Sequence, residues 1–192
     1  MGKSIKPRVP SAKTPEIKTR KPRAQVRRNR DIGKQFEGEM FVYFTEYLRK
    51  MKIQGLVYQM PQCKYDQPID IIIDSNTFGY IGCECKSVKN SLENDGKLYF
   101  SQIGQISLKN GLHQFINQHR FLHDGSRFGL MAFKFRDMKK VIIVPHQMVY
   151  EKLVNGELYI TTEEIIVNGF DISDERASLK LFIRNKCKTV DE

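Results

Sequence analysis

The 192-residue chain carries 32 Lys or Arg against 22 Asp or Glu, a formal net charge of +10, with 40% hydrophobic residues. That length suits one domain with a real core plus a dispensable segment. No run of about 18 apolar residues occurs, so nothing spans a membrane as a helix, and four cysteines without a C-x-x-C pair point to a reducing, cytoplasmic setting.

The charge is not spread evenly. Residues 1–30 hold 11 Lys or Arg, among them Arg23, Arg27, Arg28 and Arg30, and a single acid, Glu16. Residues 31–192 balance at 21 basic and 21 acidic side chains. Four of the seven prolines also fall in residues 1–30, with few large apolar side chains. Such a segment buries too little surface to offset the entropy of ordering. It is predicted to be a disordered basic arm ahead of a domain over residues 31–172, followed by a charged tail over residues 173–192. A mobile polycation suits nucleic acid, whose phosphates attract it through counterion release whatever the base sequence. An anionic membrane would require an apolar helix face that the arm lacks. An organelle leader is also Arg-rich, but the prolines oppose its amphipathic helix.

Residues 33–51 place Phe36, Met40, Tyr43, Phe44, Tyr47, Leu48 and Met51 at spacings of three and four, which predicts an amphipathic helix. Glu37 lies on the line of Phe41, Phe44 and Leu48 in the first turn, where the helix dipole favours negative charge. It reads either as a plain N-terminal acid or as an acid leaning toward a site. Gly55 is predicted to end the helix, and residues 56–62 to form a short strand broken by Pro61.

Residues 68–87 hold two apolar runs that alternate with a period of two around SNTFG, the pattern of a hairpin with a loop of about five residues. Ile69, Ile71 and Ile73 share one face with Ile81, Cys83 and Cys85; Asp70, Ile72 and Asp74 share the other with Gly82, Glu84 and Lys86. Pairing Asp74 with Tyr80 carries Asp70 opposite Glu84. Like charges so placed have Cβ atoms about 4.5–5.5 Å apart and repel, unless a hard divalent cation sits between them. Lys86, two residues on, is then close enough to steady a water or a phosphate oxygen. The alternative is a solvated sheet face. Ile72, Tyr80 and Gly82 among the charges favour the cation, because a merely wet face is less apolar.

Residues 88–97 read as a polar loop at the mouth of that site, with Lys89 and Lys97 as candidate phosphate contacts. Residues 101–122 are predicted to be helical with interruptions at Gly104 and Gly111, burying Leu112, Phe115, Ile116, His119 and Leu122. Residues 128–135 and 141–145 read as central strands and 146–153 as a short helix; 158–170 give mixed strand and turn signals. A zinc site drawing on His113, His119 or His123 has no ligand spacing behind it. The predicted fold is α/β, a mixed central β-sheet flanked by helices.

PID at residues 68–70 and ECK at residues 84–86 resemble the PD-(D/E)XK nuclease superfamily, which implies a restriction-endonuclease-like core. Within it the chain resembles the Holliday junction resolvases of the RecU type. Gly33 and Glu37 match the family's Gly and Glu four places on. GYIGCECK matches its G-x-Y-I-x-x-E-x-K, and His113 with Gln114 matches the His-Gln pair opening the next helix. The resemblance covers roughly residues 29–170. Two departures stand out. The link between the first helix and the hairpin is too short for the RecU stalk, as in the archaeal resolvases, and the loop over residues 87–98 is longer and more acidic than the family pattern.

The resemblance implies a Mg2+-dependent structure-selective endonuclease on branched DNA, with Mn2+ able to substitute, working as a homodimer. Glu37, Asp70 and Glu84 would hold the metal, Lys86 would orient water or phosphate, and Gln114 would assist. The alternatives are a flap, end or restriction-type nuclease, and a non-catalytic nucleic-acid-binding protein on the same fold.

Overall fold

The structure, a computed structural model, describes residues 23–61, 69–89, 91–105, 111–125, 127–174 and 178–186, the side chains of 23–27 excepted. Helix α1 (Arg23–Lys50) starts ten residues earlier than the apolar pattern predicts. Arg23, Arg27, Arg28 and Arg30 therefore lie on helical backbone and not in a disordered arm. Ala, Arg and Gln carry little helix penalty, so a helix nucleated by the apolar stripe extends backward through them. Phe36, Met40, Phe44 and Leu48 recur every fourth residue and are buried, contributing roughly 6–12 kcal/mol of apolar transfer before entropy. Met51 falls outside the helix and is exposed. The chain turns there with Lys52 at φ +52°.

Gly55 does not end the helix. It opens β1 (Gly55–Gln59) opposite Ser75, where a Cβ would stand 2.5 Å from the Asp74 carbonyl oxygen and 2.6 Å from the Ser75 Cβ. Only glycine lets the two strands approach so closely. Strands β2 (Ile71–Ser75) and β3 (Gly79–Val88) form the predicted hairpin with Asp74 opposite Tyr80. Ser75 and Gly79 themselves pair, so the loop is three residues rather than five. Gly79 takes φ +65°, the left-handed residue that such a loop needs.

After β3 come β4 (Lys97–Tyr99), α2 (Phe100–Ile103), α3 (Gln114–Asp124), β5 (Phe128–Phe135), β6 (Lys140–Pro145), α4 (His146–Val154), β7 (Tyr159–Thr161), α5 (Thr162–Asn168), β8 (Phe170–Asp171) and α6 (Leu179–Lys186). The main sheet runs β1-β2-β3-β5-β6-β8, with β3 and β5 parallel and every other pair antiparallel. β4 and β7 form a separate two-stranded sheet. The fold is thus the predicted α/β type, a mixed central sheet flanked by helices.

Alternation along the strands divides the core in two. Ile71, Ile73, Ile81, Cys83, Leu130, Ala132 and Ile143 face α1 and α6; Met131, Phe133, Phe135, Ile142 and Val144 face the other layer with Phe115, Val149 and Ile165. Residues 179–186, predicted as part of a charged tail, are a helix that buries Leu179 and Ile183 under α1. α5 lies inside the segment of mixed signals and is fixed by a capping box: Thr161 accepts from the Glu164 backbone N–H while the Glu164 carboxylate accepts from that of Thr161.

Helix α3 packs unusually close to the sheet. Gly82 and Gly129 face each other on β3 and β5, and a Cβ on either would stand 2.6–2.7 Å from a Leu122 methyl. The helix buries Phe115, Gln118 and Leu122, whereas Leu112, Ile116 and His119 of the predicted stripe are only half-buried. Among the described residues, no helix is long and apolar enough to cross a membrane.

Candidate active site

The site sits where β2 leaves β3. Their ladder ends at Ile71 opposite Cys83, yet β3 runs on beside β5 as far as Val88 opposite Phe135. Among the described residues, β3 keeps one paired neighbour from Glu84 onward, and its other edge is unpaired. Asp70 stands at the fork. Its Oδ2 accepts the Cys85 backbone N–H at 2.8 Å, supplying the bond that the departed strand no longer makes. The alternation predicted from residue 69 breaks here: Ile69 turns away from Ile71 and Ile73 and packs against the Gly82 position beside Leu122.

Glu84, only 2% exposed, points to the α3 side. Its Oε1 is engaged twice, by Lys86 Nζ at 2.7 Å and by Gln114 Nε2 at 2.9 Å. Lys86 Nζ also donates to Gln114 Oε1 at 3.1 Å and lies 5.7 Å from the Phe115 ring centre. Glu84, Lys86 and Gln114 thus close a hydrogen-bonded triangle. Glu84 Oε2, in contrast, is buried and finds no hydrogen-bond partner among the described residues.

Gln114 is held in place by the way α3 begins. The His113 Nδ1 accepts the Phe115 N–H at 3.3 Å, capping the helix, and its Nε2 lies 3.0 Å from the Phe100 carbonyl oxygen. The ring therefore carries its proton on Nε2, and burial pushes its pKa down. A Cβ on Gly104 would stand 2.1 Å from that ring. Gly104 is the slot that admits the cap.

The acids burden one another. Burial, and next the charge of Glu84, pushes the Asp70 carboxyl up from 3.8 to about 8; Lys86 and the Cys85 N–H only partly oppose this. Glu37 is raised for the same two reasons, with Lys34, Gln59 and Lys86 acting against them. It comes from α1, on the opposite layer, and a hydrogen bond from the Gln59 side chain of β1 holds it near the fork. Gln59 carries no signal in the sequence, because its role depends on β1 lying beside the first turns of the domain helix.

The expected three-acid cluster is not formed. Among the described residues, no three Asp, Glu, His or Cys side chains stand close enough to enclose an ion. The structure brings Asp70, Glu84, Lys86 and Gln114 together and places Glu37 within electrostatic range. The hard oxygen donors of Asp70 and Glu84, the unpartnered Glu84 Oε2 and the mutual repulsion of the acids fit a small divalent cation, which takes one or two carboxylates and fills its other positions from water and phosphate.

The predicted DNA contacts are scattered. Arg28 and Arg30 are exposed on α1, and Lys89 is exposed just past the end of β3. The side chains of Arg23 and Arg27 lie outside the described residues. Lys97, at the start of β4, lies 3.8 Å from the exposed Asp95 just before it and 5.2 Å from the Tyr159 ring centre.

No family model matches the chain, and no curated protein does. Among solved structures the chain is similar to Hjc, a Holliday junction resolvase of the archaeal hyperthermophile Archaeoglobus fulgidus. Identity is 16% over 73% of this chain and 91% of that one, with a TM-score of 0.47.

Proposed function

We propose that the protein is a divalent-metal-dependent endonuclease of the PD-(D/E)XK kind that cuts branched DNA, with the four-way junction as its preferred substrate. The observation that carries this reading is the fork itself: Asp70 bonded across that edge of β3, and Glu84 tied to Lys86 and Gln114 one residue away. Acids kept only for solubility would not be buried and set against each other.

Asp70 and Glu84 would hold Mg2+ or Mn2+, which would supply Lewis-acid stabilisation of the charge developing on the scissile phosphate. Lys86 presents an ammonium beside the acids and donates to a phosphate oxygen or to the attacking water. Gln114 keeps Lys86 and Glu84 in register, since its amide donates to one and accepts from the other. Glu37 adds negative charge from α1, held near the fork by Gln59. Phosphate contacts from the basic N-terminal residues give affinity without encoding sequence. A homodimer would bring two such forks to two symmetric strands.

The test is cleavage of an end-labelled four-way junction, beside a flap and a linear duplex, by wild type and Asp70→Asn with Mg2+ or Mn2+. The wild type should cut the junction fastest, and Asp70→Asn should lose at least about 100-fold in rate while still binding. Binding without nicking in either metal would leave a DNA-binding protein. Preference for the flap or duplex would keep the nuclease and discard the junction.

A further inference from the structure

We propose that Gln118 positions the catalytic acid Glu84 through a buried polar relay, Glu84–Gln118–His146, joined by ordered water between α3 and the sheet. The relay rests on the nuclease reading only for its consequence, not for its existence.

Two anchors fix how α3 lies over the sheet. At one end Leu122 fills the slot over Gly82 and Gly129; at the other Gln114 bonds Glu84 and Lys86. From Leu122 to Gln114 the helix advances about 12 Å, and from Gly82 to Lys86 the strand advances about 13 Å. Helix and strand therefore keep pace in opposite directions. By that register Gln118, midway between the anchors, falls over Glu84, whose β5 neighbour is Met131. His146 closes the other side. A Cβ on Gly129 would stand 2.6 Å from the His146 Cβ, and the His146 ring lies 6.3 Å, centre to centre, from both Phe115 and His119 of α3.

All three side chains are shut away from solvent: Glu84 at 2%, Gln118 at 0% and His146 at 1% exposure. Each has a buried polar atom without a partner among the described residues: Glu84 Oε2, both amide atoms of Gln118, and His146 Nε2. Native interiors rarely leave such atoms unpaired, and buried water is their usual partner. The groups complement one another along the line. Through such water, Gln118 Nε2 would donate toward Glu84 Oε2, and Gln118 Oε1 would accept from a His146 protonated on Nε2. Burial holds that imidazole neutral, with its pKa down at about 3, so it keeps a donor and carries no charge. Because Oε1 of Glu84 is already taken by Lys86 and Gln114, the relay sets the direction of the remaining oxygen, whose second lone pair is left to meet a cation.

The test uses the full chain. In the metal-free protein, the Gln118 side-chain NH2 resonances should exchange slowly with water and should move on Glu84→Gln and on His146→Phe. Resonances that move in neither variant overturn the relay, whether or not the protein proves to be a nuclease. In calorimetric titration with Mn2+, Gln118→Leu should bind about 10-fold more weakly than wild type, with its melting temperature no higher. A Gln118→Leu protein that melts higher and binds Mn2+ as wild type does shows Gln118 to be a buried amide without a relay. Junction cleavage failing in the wild type would sink the nuclease reading and leave the NMR result to decide the relay.

Discussion

Raising the pH of the metal-free protein from 6.5 to 8 should cost it stability, and Asp70 sets the size of the loss. Burial and the Glu84 charge hold its carboxyl at about 8, against 3.8 for the free group. Across that range the folded chain keeps a proton that the unfolded chain has released. Stability therefore falls as pH rises through the window and levels off above about 8. Glu37, also raised, acts in the same direction from its ordinary 4.5 upward. The histidines act oppositely: His146, His113 and His119 are all pushed down from 6.5, so they cost stability only as pH falls below that value. The Cys85 thiol, raised from 9.0 by its hydrogen bond with Cys83 and by burial, enters above the window. What remains between pH 6.5 and 8 is about 1.5 units of Asp70 titration, or about 2 kcal/mol. For a chain of this length that is about 4–8 °C in Tm. Thermal melts at half-unit steps in a chelating buffer measure it. Asp70→Asn should flatten the slope and melt higher than wild type at pH 8, and saturating Mg2+ should lift the wild type there. A wild type with level Tm across the window, or an Asp70→Asn protein with the same slope, would refute the placement of Asp70 in a buried, acid-crowded site.

Replacing the Lys and Arg residues within 1–22 by Gln should reduce the salt dependence of junction binding, the log–log slope dropping by about 0.9 for each phosphate that is no longer neutralised. The cleavage rate on saturating DNA should stay within about twofold; a large fall in that rate would place the arm in the chemistry. Ile183→Ala should cost about 2–4 kcal/mol in urea unfolding, because α6 is a packed helix. A cost under about 0.5 kcal/mol would return it to the status of a tail.

The sheet was readable wherever both faces left a mark. Residues 128–135 stand out as an apolar run that is buried on both faces, and the hairpin register follows from alternation, since a shift of one residue would have carried Ile71 and Ile73 out of the core. Features that depend on a neighbour were not readable. Gly55 looks like a helix stop until β2 is seen so near that a Cβ would stand 2.5 Å from the Asp74 carbonyl oxygen, and Ile69 continues a perfect alternation although the fork turns it aside. Gln118 sits in the buried stripe in place of Ile116, which no hydrophobic pattern would suggest. The backward reach of α1 carries no apolar period at all, only residues that tolerate helix. At the site, the opposed acids and their lysine stand out in the sequence. The placing of Glu37 beside them does not, because it depends on a hydrogen bond from Gln59, on a strand that the sequence marks only weakly. The capping box of α5, by contrast, was there to be read in Thr161 and Glu164.

Strand β3 carries packing on one side and chemistry on the other: Cys83 lies among the side chains under α1, with Cys85 packed against them, while Glu84 and Lys86 face α3. A misfolded form slipped by one residue would drive a carboxylate and an ammonium into the layer of Phe36 and Met40, at a cost of several kcal/mol per ion. Assembly errors at this strand are thus rejected by the same two side chains proposed to meet metal and phosphate, and a chain that has folded at all has already proofread that cluster.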